Sequence, residues 1–274
     1  MIGSLAISGR MLVVGGGRMG EAIIGGLVRS TALSSEQIVV AEPSSRRRDE
    51  LCAAYPGLMC VASAADAITG AGIVLVAVKP QVIDDVASEL SDSAPGTLVI
   101  SIAAGVTCAR LESMLPAGVA VVRVMPNTPA LVGQGMSVIS GGSEADDASV
   151  TLVESLFSAI GDTVVVPERY QDAATAISGC GPAYMAIIID ALARAGVRHG
   201  LTREVGQTLA IQTMRGTAAL LEETGMHPEE LVDGVTSPGG ATIAAVEVLE
   251  ALGLRTALAE AVTAAVERAK ELGS

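Results

Sequence analysis

Short apolar runs alternate with helix-like patterns over the first part of the chain. Met11-Leu12-Val13-Val14 reads as a buried strand that ends in glycines, and Glu21 to Arg29 reads as a helix. Gln37 to Ala41 gives a second strand and Arg46 to Ala54 a second helix. Ile73 to Val78 has no polar alternation, as expected of a strand buried on both faces of a parallel sheet. Thr97 to Ser101, Val119 to Val124, Met136 to Ile139 and Thr163 to Val166 continue the series. Asp146 to Ile160 is helical and stops at Gly161. Strands separated by helices predict an α/β architecture, a Rossmann-type doubly wound parallel sheet.

After Pro167 the strand signal ends. Helical patterns cover roughly residues 170–199, 203–224, 239–252 and 254–272, with Thr202 placed as an N-cap and Gly225 as a C-cap. The expected organisation is therefore a dinucleotide-binding domain at residues 1–168 and an all-α domain at 169–274. Ala183 to Ala195 is apolar on nearly every side apart from Asp190 and Arg194. A helix of that kind must be covered all round, and a short helical domain has little with which to cover it. Pairing with a second copy of the chain is the expectation.

Composition narrows the chemistry. Lys plus Arg is 17 against 30 Asp plus Glu, a net charge of -13, which disfavours nucleic acid and anionic membrane as partners. Two histidines, His199 and His227, exclude a three-histidine metal site, and no metal is expected. With no Trp, one Phe and three Tyr, stacking platforms for single strands are nearly absent. Cys52, Cys60, Cys108 and Cys180 form no C-x-x-C pair and read as small buried thiols in a reducing cytosol. The apolar N-terminal stretch is interrupted by Arg10, Arg18 and Glu21, so no targeting segment is read and a cytoplasmic location is expected.

Gly15-Gly16-Gly17-Arg18-Met19-Gly20 satisfies G-x-G-x-x-G between a predicted strand and a predicted helix. Gly15 suits the tight turn, Gly17 a close approach of backbone to pyrophosphate, and Gly20 close helix–strand packing; Arg18 and Met19 open the helix whose amides would face the phosphates. Glu42, at the end of the second strand, is placed to bond an adenosine ribose, which points to NAD. Ser44 and Arg46, in the following Pro-Ser-Ser-Arg-Arg-Arg run, suit a 2′-phosphate and point to NADP. The residues leave both open. Lys79, one of two lysines, follows a strand end that faces the crevice, beside Pro80.

Two further segments carry candidate chemistry. Met125-Pro126-Asn127-Thr128-Pro129 forms an irregular loop at a strand end, where Asn127 suits a carboxamide or a substrate as well as a turn. In Thr236-Ser237-Pro238-Gly239-Gly240-Ala241-Thr242, Ser237 is expected as N-cap and Pro238 as first helical residue. The two glycines in a first turn cost about 1 kcal/mol each relative to Ala and suggest a backbone that is closely approached. Its amides would make a carboxylate nest without a cation.

Together with Ala77-Val78-Lys79-Pro80 and Gly179-Cys180-Gly181-Pro182-Ala183-Tyr184, these motifs make the chain resemble pyrroline-5-carboxylate reductases over nearly its whole length. The resemblance implies an NADPH-dependent reductase, with NADH as the other candidate, and a helical dimerisation domain whose dimers assemble into decamers. It implies that Ala77 to Pro80 and Ile102-Ala103-Ala104 line the cofactor. It also implies that Ser237, Gly239, Gly240 and Ala241 hold the substrate carboxylate while the Thr242 hydroxyl meets the ring nitrogen. The chain departs from the family pattern at Cys180, commonly Ser, at Ala64, often Asn, and at Glu42. A β-hydroxyacid-type dehydrogenase would use a lysine early in the helical domain, and none lies between Lys79 and Lys270. A non-catalytic nucleotide sensor would not need the 237–242 loop.

Overall fold

The computed structural model describes residues 9–273, so the start of the N-terminal stretch read above for targeting lies outside the described residues. In chain order the elements begin β1 (Arg10–Val14), α1 (Arg18–Arg29), β2 (Ile38–Ala41), α2 (Ser45–Ala54), β3 (Met59–Val61) and β4 (Ala71–Val76). There follow α3 (Ile83–Glu89), β5 (Leu98–Ser101), α4 (Cys108–Met114), β6 (Ala120–Met125), β7 (Gly135–Gly141), α5 (Asp147–Phe157) and β8 (Gly161–Val165). The rest is helical: α6 (Gln171–Ser178), α7 (Gly181–Arg198), α8 (Arg203–Thr224), α9 (Pro228–Val235), α10 (Ala241–Ala251) and α11 (Leu254–Gly273).

The eight strands form one sheet in the order β3-β2-β1-β4-β5-β6-β7-β8. Pairing is parallel throughout except between β6 and β7, so β7 and β8 run against the other six. The expected doubly wound sheet is present, with that reversal as a departure. Alternation along each strand divides the core. Met11, Val13, Ile73, Leu75, Leu98 and Ile100 face one side with Ile23, Ile24 and Leu27 of α1 and Phe157 of α5. Leu12, Val14, Val74, Val76 and Val99 face the other with Ile83 and Val86 of α3 and Leu111 of α4. Each such fully buried side chain is worth about 1.5–3 kcal/mol in apolar transfer. A strand covered on both faces has no polar positions to alternate with, which explains the continuous apolar runs.

The strand order reverses direction of growth between β1 and β4, and the crevice outside their carboxyl ends is where such sheets bind ligands. The central strand expected at 73–78 sits earlier, at Ala71–Val76, which leaves Ala77, Val78 and Lys79 beyond the sheet edge at that crevice. Three short elements escaped the pattern reading: β3, α3 and α4. In the cysteine set, only Cys108 is buried; Cys52 is exposed and the other two are intermediate, so the expectation of small buried thiols is corrected to one.

The chain divides into two compact units, Met1–Cys180 with Ala265–Ser274, and Gly181–Ala264. In the larger unit α6 packs on β7. In the smaller unit α8 is capped as expected: the Thr202 hydroxyl accepts from the Val205 N–H at 3.2 Å, and Gly225 closes the helix at φ +63. Gly206 lets α8 approach α7 closely, because a Cβ there would lie 2.9 Å from the Ala193 carbonyl. Helix α9 was not anticipated. Large apolar side chains face outward on this unit, among them Ile187 at 68% and Leu252 at 79% exposure. The stretch Glu168–Arg198 is also long and apolar enough, by length and composition, to cross a membrane.

Candidate active site

The glycine loop connects β1 to α1 by three different packing demands. Gly15 adopts φ +103, and a Cβ there would stand 2.6 Å from the Ala77 carbonyl oxygen. At Gly20 a Cβ would meet the Gly15 carbonyl at 2.3 Å, so helix and loop touch through bare backbone. Gly17, the N-cap of α1, has nothing within 4 Å of the same position. Crowded at 15 and 20 and open at 17, the loop presents the first amides of α1, which have no intrahelical acceptor, to an open groove. That is a cradle fitted to a pyrophosphate.

The groove has two connected parts. A cleft of about 470 Å³ is bounded by Val14, Gly15, Gly17, Glu42, Ser63, Ala64, Val82, Asp85 and Glu89. A second, of about 360 Å³, adds Arg18, Met19, Ile102, Met125 and Pro126. Gly17, Ala77, Val78 and Lys79 line both. Together they run across the carboxyl ends of β1, β4 and β6. Of the expected cofactor residues, Gly15, Gly17, Arg18, Met19, Glu42, Ala77, Val78 and Lys79 face this groove. Gly20 serves packing, and Pro80 opens a 3-10 turn. Ser44 caps α2, its hydroxyl accepting from the Arg47 N–H at 3.3 Å. Arg46 points to solvent, Ala103 is buried, and Ala104 lines a different cavity.

Charges at the end of β2 are heavily committed. The Glu42 carboxylate accepts from the Gly16 N–H through Oε2 and from the Ser44 N–H through Oε1, both at 3.0 Å. Arg47 donates to the Gly16 carbonyl at 2.7 Å and pairs with Glu21 and Glu50. The Glu21 hydrogen bond is the largest influence that raises its pKa. Glu50, bonded first by Arg46 and then by Arg47, is held below the ordinary carboxylate range. Arg48 donates to the carbonyls of Glu42 and Pro43 at 2.8 and 2.9 Å. On the opposite wall Glu89 accepts from the Ser63 hydroxyl at 2.7 Å and the Ala64 N–H at 2.6 Å. Ser63 and Glu89 were missed by sequence reasoning because their pairing spans 26 residues and leaves no local motif.

Beyond Met125 lies a third cavity of about 280 Å³, lined by Ala104, Arg123, Met125, Asp172, Thr175, Cys180 and Arg268 among others. Arg123, 7% exposed, pairs with Glu168 and Asp172 at 3.3 Å each. Glu168 also accepts from the Cys108 N–H at 2.8 Å. The Thr175 hydroxyl is buried without a hydrogen-bond partner among the described residues. It was not singled out from sequence, where it looks like any helical threonine. Asn127 has both ends of its amide committed to main chain: it donates to the Ser178 carbonyl and accepts from the Met136 N–H, each at 2.9 Å. A substrate could gain only its remaining amide hydrogen and lone pair.

In the smaller unit, the loop before α10 differs from the expected cap. The helix begins at Ala241, its N-cap is Gly240, and no side chain caps it. Ser237 and Pro238 instead open a tight turn closed by the Gly240 N–H on the Ser237 carbonyl at 3.0 Å. Gly239 occupies the position that needs positive φ, at +67. Proline followed by glycine is the type II pattern, which stops the helix from starting at Pro238. A Cβ on Gly240 would lie 2.4 Å from the Ser237 hydroxyl oxygen. The glycine cost is thus incurred in the turn, not in the helix. Around it, Ser237, Gly239, Ala241 and Thr242 are exposed, and the first amides of α10 lack side-chain partners. The product is an anion-ready helix N-terminus carrying a hydroxyl at its second residue.

Comparison with known proteins bears on both units. Residues 168–272 match the family model described as pyrroline-5-carboxylate reductase dimerisation, and residues 10–105 match one described as NADP oxidoreductase coenzyme F420-dependent. A pyrroline-5-carboxylate reductase from Synechocystis sp. is 46% identical across 95% of this chain and 97% of its own. The pea (Pisum sativum) counterpart is 41% identical over 94% of each. The solved pyrroline-5-carboxylate reductase of Coxiella burnetii superposes with a TM-score of 0.91 at 36% identity, covering 97% of this chain and 99% of that one. The Plasmodium falciparum pyrroline carboxylate reductase, solved with NADP bound, gives 0.87 at 30% identity over 98% and 100%. On this identity and coverage, the chain belongs to the pyrroline-5-carboxylate reductase family.

Proposed function

We propose that the protein reduces the cyclic imine 1-pyrroline-5-carboxylate to L-proline with NADPH or NADH as reductant. Family membership at 46% identity supports the reaction. The observation that carries the reading to particular residues is the uncapped, glycine-lined N-terminus of α10. A small carboxylate-bearing substrate needs an anion site, and this chain has few cations to spend on one.

The reduced dinucleotide, when bound, supplies hydride to the imine carbon. The first amides of α1, with Gly17 left open, hold its pyrophosphate, and Ala77, Val78 and Lys79 border its path along the groove. The amides of Ala241 and Thr242 grip the substrate carboxylate beside Gly239 and Gly240. The Thr242 hydroxyl bonds the ring nitrogen and orients it. A protonated imine already accepts hydride well, so the residues need only position it and exclude water. That accords with a site lacking histidine. The helical unit pairs with a second copy, covering Ile187, Leu252 and their neighbours; further assembly of dimers to a decamer and a cytoplasmic location complete the reading.

The test is loss of reduced-nicotinamide absorbance with the purified protein and the cyclic imine, beside a β-hydroxyacid control. Turnover only on the hydroxyacid would overturn the reading. Thr242→Ala is expected to lower turnover about 10- to 100-fold, the low end of acid–base effects, with the fold unchanged by circular dichroism. Unaltered turnover would remove Thr242 from the site.

A further inference from the structure

Glu42, Ser44 and the three arginines after β2 all have partners, arranged in a way that bears on which dinucleotide fits. The Glu42 carboxylate lines the larger cleft and bridges the Gly16 and Ser44 amides at 3.0 Å. The Ser44 N–H lies at the head of α2, where an anion on the ribose would otherwise be received, and a carboxylate already occupies it. A carboxylate offers about four lone-pair sites, and only two are used here. Glu42 can therefore accept further bonds from ribose hydroxyls. To a phosphate, which has only acceptors and a charge near -2 at neutral pH, it offers nothing but repulsion.

The cations nearby do not reverse this. Arg47 is bound to Glu21, Glu50 and the Gly16 carbonyl, and Arg48 to the carbonyls of Glu42 and Pro43. Arg46 pairs with Glu50, with its side chain 89% exposed. The same cleft is bordered by two more carboxylates, Asp85 and Glu89. Serine and arginine at a strand end can read as a phosphate site in sequence, but here the hydroxyl of Ser44 caps a helix and the guanidiniums are engaged.

We infer that Glu42 sets the discrimination between the two nicotinamide dinucleotides, accepting from the adenosine ribose hydroxyls of NADH and disfavouring the 2′-phosphate of NADPH. This rests on the reading of the groove as the dinucleotide site. A like charge within a few ångströms near a protein surface weakens binding on the order of tenfold or more.

The experiment is calorimetric titration of the full-length protein with NADH and with NADPH, without substrate, at two ionic strengths. In Glu42→Gln the NADPH-to-NADH affinity ratio is expected to rise about tenfold or more, since an isosteric amide keeps an acceptor and removes the charge. In the unsubstituted protein the same ratio should rise with salt, because screening weakens repulsion. A ratio unchanged within about twofold in the variant overturns the inference, as does a ratio that falls with salt, which would place the arginines in control. Should that variant fail to fold, Glu42→Ala, read by the same affinity ratio, decides in its place. Failure of both dinucleotides to bind the unsubstituted protein would instead defeat the underlying reading of the groove.

Discussion

Cys108 and Cys52 occupy opposite environments, one buried under β7 and the other exposed on α2. Burial, aided by the neighbouring Glu168, pushes the Cys108 thiol up to about 12 from its ordinary 9.0. The folded state therefore favours the neutral thiol. That contribution is complete below the unfolded value and is lost as pH rises through the folded one. Denaturant midpoints for the protein are expected to hold up to about pH 8 and then fall across about pH 9–12, less steeply in Cys108→Ala. Parallel profiles for the two proteins would refute the assignment. Burial also raises Cys60 to about 12, so some slope persists in the variant. The loop glycines were legible at this same scale, because their spacing is local. The commitments of Glu89 to Ala64 and of Asn127 to Ser178 were not, since they join residues 25 and 51 apart.

Elements were read well where the pattern was long or capped. Helix α8, with Thr202 and Gly225 at its ends, emerged from sequence as it stands in the structure. Strand β3 and the seven-residue helices α3 and α4 were too short to establish a period. The direction of β7 is set by what it pairs with, which no run of residues encodes. The start of α10 was misjudged because Ser-Pro satisfies the rules for a cap, whereas Pro-Gly at the next pair satisfies those for a turn, and the turn prevailed. At this scale Arg123 is the joint that ties β6 to Glu168 and α6 through Asp172. Breaking a buried ion pair costs about 3–5 kcal/mol, and the partial exposure of both carboxylates reduces that to about 2–3 for Arg123→Ala. Urea denaturation checks it, and a loss under about 0.5 kcal/mol, the range of ordinary surface changes, would show the joint to be idle.

Across the molecule, the larger unit carries a full two-sided core while the smaller leaves large apolar side chains uncovered. Among its described residues few are buried, and they are small: Gly181, Ala193, Gly206 and Ala210. The sequence announced this imbalance through a helix apolar on all sides, and the family match to a dimerisation model accords with it. Ile187→Asp is expected to shift the protein to monomer in light scattering and to cut turnover, while dinucleotide titration of the crevice stays within about twofold. An unaltered dimer would place the interface elsewhere.

The reversal of β7 has a practical corollary. Because β7 runs against β6, its carboxyl end and the exposed Glu144 connection emerge at the rim of the sheet where β6 begins, remote from the crevice at the carboxyl ends of β1 and β4, the proposed entrance for a dinucleotide. A fluorescent reporter or affinity handle spliced at that rim would leave the entrance unobstructed.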